Sequence, residues 1–325
     1  MTLHISEAEV RAVLTMPLAV EAVEEISRKQ ATGEVVVHPR RRFELPGGGF
    51  FHYMAAADFT AGFVAMKQYT YVRGKLRFLV PLYEMATGNL VAMIEADCMG
   101  QLRTGAASGV ATRYLARTDA KVAAIIGTGG QAKTQLEAVA TVRKLESVRA
   151  YGRDAARREN FCKEMSGRLG IPVQSAASAG EAMRGAQIVC TATTAANPVV
   201  FGGDLAHGAH INAIGANHAH KRELDSEAVA SADVIVVDSV EQSRQEAGDL
   251  IIAFHGDESC WTGVKKLSEV VAGKTPGRTS DAEVTLFKSN GIASWDLAVA
   301  MKVYALAREK NLGRELPLWA DGPTL

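Results

Sequence analysis

Three groups of basic residues stand where a charge is not expected. Lys67 lies inside an apolar strand pattern, Phe63-Val-Ala-Met-Lys67-Gln-Tyr-Thr-Tyr71, and Arg103 opens a helix whose next residues, Thr104-Gly-Ala-Ala-Ser-Gly109, are small. Arg40, Arg41 and Arg42 form a run. An arginine can grip a carboxylate through two parallel N–H groups and a lysine adds a point charge, so two of these converging on one cleft would make an anion site. Taken alone, Lys67 reads as an outward-facing lysine on the polar side of an alternating strand. Arg103 alone reads as a solvated or phosphate-facing arginine, and the arginine run as a basic surface loop.

A second constellation is Lys121-Val-Ala-Ala-Ile-Ile-Gly127-Thr128-Gly129-Gly130-Gln131-Ala132. Val122 to Ile126 predicts a buried strand, the glycines break it, and a helical pattern starts at about Gln131. Gly127 can take the tight turn, Gly129 lets a pyrophosphate approach the backbone, and Ala132 stands at the third small position of G-x-G-x-x-G/A. The free N–H groups and positive dipole end of the helix would hold the phosphates. The spacing predicts a dinucleotide site.

The elements that must carry these residues follow from the rest of the chain. At 325 residues it is long enough for two domains with separate cores. Apolar content of 47% and charged content of 22%, with zero formal net charge, suit a globular protein without nucleic-acid or membrane-surface partners. Cys98, Cys162, Cys190 and Cys260 have no metal-ligand spacing and are expected as reduced thiols. No signal peptide or run of about 18 apolar residues is seen, so a cytoplasmic location is expected.

Ser6-Glu-Ala-Glu9 is a capping box, and Met16 to Thr32, with Pro17 in its first turn and Gly33 after it, predicts a second helix. Strands are expected over 41–45, 50–54, 62–71, 76–83 and 90–95, with Thr87-Gly88-Asn89 as a hairpin turn. This is a mostly antiparallel sheet with two helices, suited to a substrate-binding and dimerisation domain over residues 1–117. Residues 118–294 are expected to form the Rossmann-type domain, and a return segment over about 295–325, opened by a long helix from Trp295 to Lys310, rejoins the first domain and makes it discontinuous.

In a Rossmann fold the end of the second strand meets the adenosine ribose. Here Ser147 to Gly152 leads into Arg153-Asp154, with Arg157 and Arg158 one turn later. The arginines favour NADP(H), while Asp154 keeps NAD(H) open; its simpler role is an N-cap. Thr191 and Thr193, ending the next strand, would line the nicotinamide side. His218-Ala-His220 has no third ligand near it, so no metal site is expected, and His207 and His210 read as turn and strand-edge residues.

Gln101-Leu-Arg103-Thr104-Gly105-Ala106-Ala107-Ser108, Ile126 to Ala132, His210 to Gly215 and Glu283 to Gly291 occur in an order that resembles the ornithine cyclodeaminase / μ-crystallin family over nearly the whole chain. The resemblance implies a homodimer of subunits with a Rossmann domain and a sheet domain at the dimer interface, with an amino-acid or imino-acid substrate between the two domains. It implies that the substrate carboxylate is held by Arg41, in a Pro-x-Arg pattern at Pro39, together with Lys67 and Arg103. It also implies that Thr104 and Ser289 to Gly291 approach the cofactor.

Two positions depart from the cyclodeaminases. Asn217 stands where they carry a catalytic aspartate, and His52 where they carry a glutamate that handles the substrate amines. A distal ammonium wants carboxylates, and both are replaced here. Reduction of an imine bearing an α-carboxylate, or the reverse amino-acid oxidation, is therefore expected, with Lys67, or a water held by Asn217 and His218, as the proton source. A cyclodeaminase-type lyase with catalytic NAD, or an NADPH-dependent ligand-binding protein, is the alternative.

Overall fold

The computed structural model describes residues 1–318. The chain divides into two compact units, one of residues 1–103 with the segment that starts at Ile292, the other Thr104–Gly291. Sequence patterns put these boundaries at 117/118 and 294/295. The first division instead falls within a helix, because that helix's small-residue half packs inside the second unit. A Cβ on Gly105 would lie 2.4 Å from the Thr134 carbonyl oxygen, a separation only glycine allows.

The first unit opens with β1 (Thr2–Ile5), α1 (Glu7–Val13) and α2 (Met16–Ala31). Ser6 and Glu9 close the capping box that the sequence shows, and Gly33 stands beyond α2 at φ +81°. There follow β2 (Val35–Glu44), β3 (Phe50–Asp58), β4 (Phe63–Val72), β5 (Lys75–Glu84), β6 (Leu90–Glu95) and α3 (Asp97–Leu115). β2 starts at Val35, well before the strand expected from Arg41, and its pairing with β3 shifts register between His38 and Arg41. Pro39 sits in that irregularity, where a missing N–H does least harm to a ladder.

The second unit alternates strand and helix. It comprises β7 (Val122–Ile126), α4 (Gly130–Val142), β8 (Ser147–Tyr151), α5 (Ala155–Leu169), β9 (Val173–Ser175), α6 (Ala179–Met183), β10 (Ile188–Thr191) and β11 (His210–Ala213). It continues through α7 (Ser226–Ala230), β12 (Val234–Val237), α8 (Val240–Glu246), α9 (Gly248–Phe254), β13 (Lys265–Lys266), α10 (Leu267–Val271) and β14 (Thr285–Lys288). The eight strands form one parallel sheet in the order β13-β12-β14-β11-β10-β7-β8-β9. The central strands alternate between two cores: Ala124, Ile126, Val189 and Ile211 enter one, while Ala123, Ile125, Ile188 and Cys190 enter the other. Burial on both faces is what a parallel sheet demands. His210, expected at a strand edge, lies fully buried in an interior strand, and burial pushes its imidazole down to about 3. A neutral ring suits its contacts there, Nδ1 with Thr285 Oγ1 and Nε2 with Asn212 Oδ1.

The chain then re-enters the first unit as α11 (Ala293–Glu309) and β15 (Arg314–Leu316), so the return segment expected over about 295–325 is helical only to Glu309, and its last part, 319–325, lies outside the described residues. The sheet of this unit runs β15-β1-β6-β5-β4-β3-β2, antiparallel except where β1 meets β6. α11 is nearly all apolar in its first half and packs on α2 and on β2 to β5.

Candidate functional site: a buried cation pair and a glycine loop

Lys67 points to the helix-covered face of the first sheet. It pairs across the ladder with Met54, whose side chain is buried, and His52, two residues along β3 and paired with Tyr69, lies on the same face. Lys67 is 4% exposed, Arg103 6% and Asp296 1%, so this is a buried charge cluster and not a solvated surface. Lys67 Nζ donates to Asp296 Oδ1 at 3.0 Å and Arg103 Nε donates to the same oxygen at 3.1 Å. Arg103 Nη1 and Asp296 Oδ2 are buried without a hydrogen-bond partner among the described residues. Gly100, one turn before Arg103, makes room: a Cβ there would lie 3.1 Å from Lys67 Nζ.

Burial and then the Arg103 guanidinium push the Lys67 ammonium down to about 8, against Asp296, which raises it; Arg40 lowers it further. The Lys67 ammonium also stands 5.3 Å from the centre of the Phe78 ring. His52 Nδ1 shares a short hydrogen bond with the Tyr69 hydroxyl, and the imidazole lies against Phe50.

Arg41 does not join this group. It pairs with Tyr53, and because successive residues of a strand alternate faces, it lies on the side opposite His52, Met54 and Lys67. Its side chain is exposed, whereas Arg40 is half-buried and acts on Lys67. The irregular register beside Pro39 moves the arginine that faces the cluster by one residue. The partner that reasoning from the sequence misses is Asp296. Its one local signal is that it is the only charged residue between Lys288 and Lys302, inside an otherwise apolar stretch.

In the second unit, β7 is flanked by β8 and β10, so the strand order reverses beside it, the place where an open parallel sheet binds its ligand. Gly127 takes φ +116°, and a Cβ there would lie 2.4 Å from the Ala192 carbonyl oxygen. Gly129 is the N-cap of α4 with no side-chain cap, and a Cβ on it would meet nothing within 4 Å. The first N–H groups of Gly130, Gln131 and Ala132 have no intrahelical partner by geometry, and Ala132 is fully buried against the strand. Gly152 gives way to Thr128, whose Oγ1 would lie 2.7 Å from a Cβ there. This cradle fits a dinucleotide pyrophosphate. At the end of β8, Asp154 accepts the Arg157 N–H as the N-cap of α5. Arg158 is tied to Ser175 and to the Gly152 carbonyl, while Arg153 and Arg157 are exposed.

Two carboxylates shape the loops past the strand ends, and no motif or spacing in the sequence marks either of them. Glu223 is fully buried and accepts from the Thr191 hydroxyl at 2.6 Å and from the backbone N–H groups of Thr193 (2.6 Å) and Gly215 (2.7 Å). Asp238 Oδ2 accepts from the Ser289 hydroxyl and from the Asn290 and Gly291 N–H groups. Thr191, Thr193, Ser289 and Gly291 are thus rigidly held. Asn217 is exposed on the loop after β11, and His218 is half-buried beside His220, with ring centres 5.6 Å apart.

This geometry has close relatives. Residues 2–311 match the ornithine cyclodeaminase/mu-crystallin family. The chain belongs to this family. Among its curated members, a delta(1)-pyrroline-2-carboxylate reductase of Bacillus cereus is 39% identical over 239 residues, 73% of either chain. The solved structure of the delta(1)-pyrroline-2-carboxylate reductase of Thermococcus litoralis, in complex with NADH and L-proline, is 36% identical. It superposes over 97% of this chain and 100% of that one with a TM-score of 0.92. An archaeal alanine dehydrogenase dimer with bound NAD is 34% identical, covers 98% of this chain and 99% of that one, and has a TM-score of 0.91. Family membership accounts for the α/β architecture and the Rossmann-type sheet together. Among the described residues, no helix is long and apolar enough to cross a membrane.

Proposed function

We propose that this protein is an NAD(P)H-dependent reductase of imines that carry an α-carboxylate, able to run in reverse as an amino-acid oxidation. The observation that carries this reading is the pair of buried cations, Lys67 and Arg103, sharing one oxygen of Asp296 while Arg103 Nη1 has no partner among the described residues. An unpaired buried donor on a guanidinium is an energetic debt that a carboxylate discharges. A reduced nicotinamide, once bound, supplies the hydride to the imine carbon. Arg103 and Lys67 hold the substrate carboxylate, with Arg40 in the place expected of Arg41, and His52 and Tyr69 shape the wall beside them. Lys67 is mostly protonated at neutral pH with a value of about 8, which suits a group that passes a proton to the imine nitrogen. Asn217 and His218 could hold a water for the same purpose. The relatives that act on pyrroline-2-carboxylate and on alanine support small substrates, either a cyclic imine or one formed from a keto acid and an amine.

The glycine loop from Gly127 to Ala132 takes the pyrophosphate, with Thr104, Thr191, Thr193, Ser289 and Gly291 toward the rest of the cofactor. NADP(H) is preferred over NAD(H): the Asp154 carboxylate is engaged as a helix cap, and the exposed Arg153 suits a 2′-phosphate. Residues of the first unit serve as substrate and dimerisation surface, where Phe43, Tyr71, Val72 and Leu76 leave an exposed apolar edge that a second copy would cover.

Consumption of NADPH and NADH by the purified protein tests this, with pyruvate, glyoxylate or oxaloacetate plus ammonia or methylamine, and with pyrroline and piperideine carboxylates. Net consumption with one of these imines is the expected result. Ammonia and proline from ornithine with no net cofactor change would replace the reading with a lyase, and tight NADPH binding without any turnover would replace it with a binding protein.

A further inference from the structure

Asp296 has no counterpart in the sequence-based site, yet it is the most deeply buried member of the cluster. It comes from the first turn of α11, while Lys67 comes from β4 and Arg103 from α3, so three elements distant in sequence meet at one carboxylate oxygen. Two long cationic side chains would repel each other in a buried place and splay toward solvent. A shared acceptor fixes Nζ and Nε within about 3 Å of one point and offsets one of the two charges. On the guanidinium it is Nε that this oxygen engages, which leaves Nη1 unused among the described residues.

We infer that Asp296 is a positioning residue that joins Lys67 and Arg103 into a single carboxylate clamp and keeps the Lys67 ammonium charged for proton delivery. The inference rests on the proposed imine reduction and adds to it the group that makes the clamp work as a unit. The charges and titratable groups that bear on Lys67 are Arg103 from α3, Asp296 from α11 and Arg40 from β2, with His52 nearby on β3; β5 contributes the Phe78 ring. Of these, Asp296 is the group that favours the charged lysine. Gly100 has a supporting part, since a side chain there would press on the ammonium.

The protonated lysine is the working form, so kcat/KM is level below the Lys67 value of about 8 and declines above it. Asp296→Asn keeps the shape and removes the anion that raises that value. The alkaline limb should therefore move to lower pH by about one unit, a tenfold change in proton affinity. kcat should fall at least tenfold at neutral pH, and the NADPH dissociation constant should stay within threefold. An unmoved limb with kcat/KM within threefold of the parent would overturn the inference.

Asp296→Glu covers the case in which the amide variant does not fold. It keeps the charge but advances the oxygens by one methylene, so kcat/KM should fall at least tenfold while the limb stays in place; parental kcat/KM would overturn the positioning role. A readout independent of turnover separates this inference from the proposed activity. Calorimetric titration of the cofactor-loaded protein with L-proline or L-alanine should show at least tenfold weaker binding in Asp296→Asn and in Asp296→Glu, and equal affinity in all three proteins would remove Asp296 from the clamp even if imine reduction is confirmed.

Discussion

Each unit buries a lysine beside an aspartate, and the two constellations are finished differently. In the second unit Lys288 Nζ meets Asp249 Oδ2 at 3.0 Å and also donates to the carbonyls of Ala213 and Ala216. Asp249 Oδ1 accepts the Glu223 and Leu224 N–H groups, and the Glu223 carboxylate accepts three donors in turn. The Lys288 ammonium and Asp249 Oδ1 are thus hydrogen-bonded within the chain, while Asp249 Oδ2 makes no hydrogen bond among the described residues and is answered by the Lys288 charge alone. In the first unit Lys67, Arg103 and Asp296 share one oxygen, with a guanidinium nitrogen and the other carboxylate oxygen unanswered among the described residues. A saturated buried network holds a fold in one shape, whereas an unsaturated one carries a cost that a ligand can remove.

The largest expected effect comes from breaking the Lys288–Asp249 network of the second unit. Lys288→Met leaves Asp249 charged and buried without its counter-ion, and removal of one partner of a buried pair costs about 3–5 kcal/mol. Urea unfolding should show it as a clear drop in midpoint, and an unchanged midpoint would mean that the network is not structural. The unsaturated network should respond in activity. Arg103→Ala and Lys67→Ala should each lower kcat/KM by roughly 10²–10³-fold, the scale for removing one charged contact to a bound anion, while cofactor titration stays near the parental value. Near-parental turnover in either variant would take that residue out of the mechanism.

A smaller effect sharpens the comparison through pH. Lys67 has a folded value of about 8 against an ordinary 10.5. The folded state therefore binds this proton less tightly than the unfolded chain does. The destabilisation from a charged Lys67 is fully present below about pH 8 and is relieved as the pH rises toward 10.5. Turnover runs the other way, dropping about tenfold per unit above pH 8 as the proton donor is lost. A stability profile and a rate profile with opposite slopes in that window are the expected pair; parallel slopes would separate Lys67 from one of them. The smallest effect is at the exposed end of the cofactor site, where Arg153→Ala should reduce the NADPH-over-NADH preference by roughly fivefold, the scale of a solvated ion pair. No change in that ratio would leave the cofactor preference to other residues.

What the sequence could and could not tell follows the range of the interaction. The capping box at Ser6 and Glu9, the turn at Gly127 and the N-cap at Asp154 are local, and their chemistry is readable within a few residues. The odd placement of Lys67 and Arg103 is equally visible. The partner that explains them lies 229 and 193 residues away, and no local pattern encodes such a pairing. The family resemblance, through its Pro-x-Arg pattern, points to Arg41, but the ladder slips beside Pro39, and a register shift of that kind has no signature in the sequence pattern itself. The supporting carboxylates Glu223 and Asp238 act by accepting backbone N–H groups, which leaves no trace in residue spacing. The helix at Asp97–Leu115 is legible as a helix, yet where it changes allegiance between units depends on how closely Gly105 meets Thr134.

The return of the chain into the first unit has a consequence for synthesis. Strands β2 to β5 leave the ribosome long before α11, with the whole of Thr104–Gly291 made in between. Until then the apolar face under α11 is bare and Lys67 lacks its anion, so a nascent chain arrested before Ile292 should be a poor folder of its own first unit and a client for holding chaperones. Lys67 and Arg103 thus meet their shared carboxylate only after the whole second unit has been made, and a product that stops within the second unit lacks Asp296.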